Sequence, residues 1–133
     1  MNEAITTRFE TYQKLLIQSP VIVRFIVLKQ NVTRTDGRIR VRASLTDGGL
    51  LEFAEYIALN DEAQVVAHTY TFHWQDAQQR LIRRWDNVNH FPDLPHAPHH
   101  IHQVDESVIG NPYIPTLETS LAEIEADLII SND

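Results

Sequence analysis

The sequence predicts an α+β fold: an N-terminal helix, a meander of about five antiparallel strands, a long His/Pro-rich loop and a C-terminal helix. Three observations carry that prediction. Apolar residues recur with a helical period only near the two ends. Between them, segments of period two are separated by short turns, the pattern of a sequential antiparallel sheet. Residues 86–115 have no period and hold five of the six prolines. At 133 residues the chain is long enough for one hydrophobic core, so a single domain over residues 1–133 is expected.

The N-terminal helix is read over Glu3 to Gln18, where Ile5, Phe9, Tyr12 and Leu16 fall on one face. Ser19 and Pro20 end it, because the residue before proline is driven out of the helical region. Val21 to Lys29, VIVRFIVLK, is rich in β-branched residues and reads as a nearly fully buried, central strand. Asp36-Gly37 then opens RIRVRASL, in which Ile39, Val41, Ala43 and Leu45 alternate with Arg38, Arg40, Arg42 and Ser44. The turn Thr46-Asp47-Gly48-Gly49 suits a hairpin. Its partner strand is LLEFAEYIAL, with Glu52 and Glu55 expected to answer the arginines across the ladder.

A fourth strand runs from Val65 to Gln75, with His68, Tyr70, Phe72 and Trp74 assigned to one face and Thr69, Thr71, His73 and Gln75 to the other. The fifth is LIRRWD, where Leu81, Arg83 and Trp85 alternate with Ile82, Arg84 and Asp86. Trp74 and Trp85 read as core. After the irregular stretch, Thr116 caps an acidic amphipathic helix over residues 116–130, with Leu117, Leu121, Ile124 and Leu128 on its apolar stripe.

Composition narrows the function. There are no cysteines, which excludes disulfides and thiolate sites and suits a reducing compartment. The start, MNEAITTRFETYQ, lacks the basic and apolar blocks of a signal peptide, and no apolar run reaches membrane length, so a cytoplasmic protein without a membrane partner is expected. The net charge of −7 comes from the tail: all 11 Lys and Arg, and 11 of the 18 acidic residues, precede residue 101, and the other 7 acidic residues follow it. A local arginine face therefore remains available to phosphate despite the acidic total.

Chemistry concentrates in Tyr70 to His102, which holds both tryptophans and six of the seven histidines. Two imidazoles beside a guanidinium can transfer a phosphoryl group without a metal: one takes the proton of a ribose 2′-hydroxyl, the other protonates the leaving oxygen, and the cation stabilises the added charge. The candidate catalytic residues are His73, His99, His100 and His102, with Arg83 and Arg84 for phosphate and Tyr70, Asp86 and His90 in support. If HHIH is extended, His100 and His102 face one way and His99 the other. The alternative for the same histidines is a transition metal, with Asp86 or Asp105 as an oxygen ligand. No metal or cofactor is assigned in the preferred reading, and no Walker loop, HExxH or Rossmann glycine pattern is present.

Taken together, YTFHWQD, LIRRWDN and PHHIH resemble the TumE-like toxins, small bacterial and archaeal proteins of toxin-antitoxin pairs whose partner resembles TumA. The likeness covers roughly Val21 to His102, since the Asp-Gly hairpin and LEFAEY also fit. It implies a growth-inhibiting toxin neutralised by a cognate antitoxin protein, with an activity directed at RNA. Two features depart from the family pattern: Val88-Asn89-His90 stands where Pro-His-His often follows WDN, and the acidic helix after Pro115 looks like a local addition. The order helix, antiparallel sheet, helix also resembles small metal-independent toxin ribonucleases of the RelE or barnase type, at the level of fold alone. The preferred reading is thus a toxin with ribonuclease-like chemistry, acting on RNA and held by an antitoxin, with a homodimer left open. The competing readings are a protein-binding module without chemistry and a transition-metal-binding protein.

Overall fold

In a computed structural model, which describes residues 1–131, the elements run α1 (Glu3–Gln18), β1 (Ile22–Val32), β2 (Asp36–Leu45), β3 (Leu50–Leu59), β4 (Val65–Gln75), β5 (Leu81–Asp86), β6 (His100–Gln103), β7 (Val108–Gly110) and α2 (Leu117–Ser131). The strands form one antiparallel sheet in sequential order, β1 to β7. The α+β class and the two terminal helices agree with the sequence. The strand count does not, because the proline-rich stretch contributes β6 and β7. Those strands are four and three residues long, too short to register as periodicity.

Both helices lie on one face of the sheet. The side chain of Asn2 caps α1 by accepting from the Ile5 N–H at 3.0 Å. The stripe Ile5, Phe9, Tyr12 and Leu16 is buried and joins Leu117, Leu121, Ile124 and Leu128 of α2 in a single core cluster. The sheet supplies Ile39, Val41, Leu51, Phe53, Phe72, Trp74 and Trp85 to the same cluster. Each such burial is worth about 1.5–3 kcal/mol over exposure, so the helices are held by packing more than by propensity. Thr116 begins α2, its Oγ1 accepting from the Thr119 N–H at 3.1 Å. Gly37 is required where α1 crosses β2: a Cβ there would stand 2.6 Å from the Ile5 side chain.

Three local expectations are corrected. β1 is an edge strand, with Val23, Ile26 and Leu28 exposed. Its register shifts between Ile22 and Arg24 and between Val27 and Lys29, which breaks strict alternation, and only the helix-side residues find cover. Glu55 does not answer the arginines. Glu52 does, bonding Arg42 at 3.1 Å, whereas Glu55 is three residues on and therefore faces the helices. There its carboxylate accepts from Tyr12 Oη at 2.5 Å and Arg8 Nη2 at 3.2 Å. His68 does not share the face of Tyr70, Phe72 and Trp74. A register shift between β3 and β4 at Tyr56 and Ile57 reverses the alternation, and His68 packs edge-on against Tyr56 on the outer face.

A candidate functional site on the outer sheet face

Paired residues of an antiparallel ladder share a face, so the register itself assembles the site. One row crosses the sheet as Arg42, Glu52, His73, Arg84 and His102, and the next as Arg40, Ala54, Thr71, Asp86 and His100. Both rows lie on the face away from the helices. The segment 87–99 folds over their far end. Asn87 ties it to β4 by donating to the His68 carbonyl at 2.8 Å and accepting from the Tyr70 N–H at 3.0 Å. Pro95 packs so tightly on Gly110 that a Cβ there would meet the Pro95 carbonyl oxygen at 1.8 Å.

Five of the sequence candidates meet here. Arg84 is central, with Nη1 3.4 Å from His73 Nδ1 and Nε donating to Asp86 Oδ2 at 3.1 Å. Gln75 Oε1 lies 2.9 Å from His73 Nε2 and holds the proton there, leaving Nδ1 as the acceptor. Beneath the loop, Asp86 Oδ1 is 2.8 Å from His100 Nε2, and Asp86 Oδ2 is 3.5 Å from His102 Nε2. The two Nε2 atoms are 3.2 Å apart. Asp86 and His100 are buried, while His102 and Arg84 are half-buried. Desolvation lowers the His102 pKa, partly opposed by the Asp86 carboxylate.

The remaining candidates lie elsewhere. His99 faces the helix side, where its ring stacks on Tyr70 and its Nδ1 lies 2.8 Å from the Tyr70 hydroxyl. Tyr70 is buried there, and desolvation raises its pKa, with Asp86 adding to the shift. Arg83 also faces the helices and forms an ion pair with Glu123 of α2. His90 is exposed on the covering segment. Asp105, the alternative oxygen ligand, sits exposed in the β6–β7 turn, bonded to Ser107.

Two contributors were not among the sequence candidates. Phe91 roofs the cluster edge-on, 5.1 Å from the His100 ring and 5.8 Å from that of His102. Its place in an aperiodic segment gave no signal. Gln75 had one, since strand alternation puts it beside His73. Next to the site, Lys29, Arg38, Arg40, Thr69 and Thr71 line a groove of about 420 Å3. Thr71 pairs with Asp86, which sets the groove one strand away from the cluster.

The family model described as Toxin TumE matches residues 12–132, which includes α2 and so extends the likeness beyond His102. No curated protein and no solved structure matches the chain.

Proposed function

The chain belongs to the TumE toxin family, and from that premise we propose that it is the toxin of a toxin-antitoxin pair and cleaves RNA on its outer sheet face. The observation that carries this reading is the position of Arg84, between the His73 ring on one side and the Asp86–His100–His102 cluster on the other. His73 and His102 stand two strands apart, roughly 9–10 Å at the backbone, enough to flank one phosphodiester. Lys29, Arg38 and Arg40 extend the positive track along the groove. The acidic residues of α2 do not mask it: α2 packs on the opposite face, where Glu123 is engaged by Arg83.

The chemistry is transphosphorylation. The His102 imidazole takes the 2′-hydroxyl proton, and the 2′-oxygen attacks the adjacent phosphorus. Arg84 stabilises the charge on the non-bridging oxygens. The bond from phosphorus to the 5′-oxygen breaks, and His73, entering the step with a second proton on Nδ1, delivers that proton to the oxygen, leaving a 2′,3′-cyclic phosphate and a 5′-hydroxyl. Asp86 accompanies the proton on the imidazole pair, while His99, Arg83 and Tyr70 support the scaffold from the other face. A cytoplasmic location and a protein antitoxin follow from the same reading. The exposed apolar residues of edge strand β1, Val23, Ile26 and Leu28, favour that strand as the antitoxin's docking edge.

The test is incubation of the purified protein with single-stranded RNA, followed by identification of the new ends. Cyclic phosphate termini from wild type and none from Arg84→Ala support the reading. RNA left intact by a protein that still arrests growth contradicts it.

A further inference from the structure

The Asp86–His100–His102 cluster has an unusual feature: two of its facing atoms, Asp86 Oδ1 and His100 Nε2, are both acceptors when the imidazoles are neutral. His100 Nδ1 lies 2.9 Å from the Pro98 carbonyl oxygen, which can only accept, so that nitrogen carries the proton. The Nε2 lone pair of His100 then points at Asp86 Oδ1 at 2.8 Å and at His102 Nε2 at 3.2 Å. A proton on His102 Nε2 can serve one of these contacts and leaves the other as lone pair against lone pair. A positive charge between His100 Nε2 and Asp86 Oδ1, either a proton or a metal ion, resolves that contact.

We infer that this cation is a divalent first-row transition metal ion, held by Asp86, His100 and His102 with at least one coordination position open towards Arg84. The three ligand atoms lie within 4.8 Å of one another. A tetrahedral ion with ligand bonds of about 2.0–2.1 Å spaces its ligands roughly 3.3–3.4 Å apart. The 3.2 Å between the two imidazole nitrogens already fits, and since His100 faces Asp86 Oδ1 at 2.8 Å while His102 faces Oδ2 at 3.5 Å, a small rotation of the carboxylate brings one oxygen to ligand distance from both. The outer contacts are those of a metal ligand set. The Pro98 carbonyl fixes the His100 tautomer, and the Val88 N–H donates to Asp86 Oδ1 at 3.0 Å. Arg84 Nε and the edge-on Phe91 ring complete the enclosure. Two nitrogens and one oxygen favour zinc, iron, cobalt or nickel over magnesium or calcium. This goes beyond the ribonuclease reading and does not depend on it, because the ligand geometry makes no reference to RNA. If both hold, an ion here lowers the pKa of a hydroxyl next to Arg84 and takes over the activating task given above to the His102 imidazole.

The test uses the tag-free full chain, stripped with a chelator and titrated with Zn2+ by equilibrium dialysis and elemental analysis. The expected result is one Zn2+ per chain with a Kd of about 1 μM or tighter. His102→Gln, at the half-buried ligand and therefore least disruptive to folding, weakens binding at least about tenfold, whereas His73→Ala leaves it unchanged. Circular dichroism establishes that each variant is folded, and His102→Asn replaces the glutamine variant if that one is not. Co2+ in place of Zn2+ gives visible absorption bands in wild type that are lost in the His102 variant. A wild-type chain without stoichiometric Zn2+ overturns the proposal, as does binding undiminished by the His102 change. Either result makes the cluster a buried imidazolium–carboxylate pair instead. RNA cleavage plays no part in these readouts, so the two proposals fail separately.

Discussion

Asp86 Oδ1 lies 2.8 Å from His100 Nε2 on the adjacent strand, and both side chains are almost fully removed from solvent. The same carboxylate accepts from the Val88 N–H and from Arg84 Nε. It therefore fixes the covering segment and the guanidinium together. Asp86→Asn keeps the shape but removes the charge and half the acceptor capacity. The expected cost is about 1–3 kcal/mol in urea denaturation, with loss of RNA cleavage. An unchanged denaturation midpoint would show that Asp86 is not organising the cluster.

The buried Glu55 carboxylate makes a second network, held by Tyr12 and Arg8 of α1. Removing its charge partners leaves it uncompensated. Tyr12→Phe should cost about 1–3 kcal/mol. Arg8→Ala should cost about 3–5 kcal/mol, since it leaves the buried Glu55 carboxylate without its cation. The pH dependence has a definite sign. Burial, chiefly, and the neighbouring carboxylate push the Tyr12 pKa up from its ordinary value of 10.0. A raised folded-state pKa gives stability that is complete below pH 10.0 and is lost as pH rises above it. Stability measured across that range should fall in wild type and fall less steeply in Tyr12→Phe.

Adjacent arginines on β5 should behave oppositely. Arg83 meets Glu123 in a half-exposed ion pair on the helix side, so Arg83→Gln should cost under about 1 kcal/mol and leave RNA cleavage intact. Arg84→Gln should lower the cleavage rate by about 10²–10³-fold with little effect on the fold. Rates and denaturation curves for the pair check both statements.

Gly37 tests the packing of α1 on the sheet. With 2.6 Å between its missing Cβ and Ile5, and 3.1 Å to the Phe9 ring, Gly37→Ala forces the helix away from β2. A loss of about 1–3 kcal/mol is expected in thermal or chemical denaturation.

Strong periodicity made most of the fold legible. The α1 stripe and the alternating strands of residues 38–86 each repeat often enough to be read, and the α1 bounds agree with Glu3–Gln18. What escaped were features set by neighbours rather than by local pattern. The placement of β1 at the sheet edge depends on topology, because its composition alone resembles a central strand. The bulge that turns His68 outward adds one residue to an otherwise regular alternation. At the site, alternation separates His100 and His102 from His99, and Arg84 from Arg83. The closure of segment 87–99 over Asp86, with Phe91 as its roof, is a tertiary event that composition cannot encode.

The central claim is that toxicity acts through the outer sheet face, and growth arrest on induced expression tests it most directly. Strains expressing wild type, His73→Ala, Arg84→Ala and His99→Gln at matched soluble levels should divide by face. Wild type and His99→Gln arrest growth, and the two outer-face variants do not. Arrest that persists in both His73→Ala and Arg84→Ala would contradict the account.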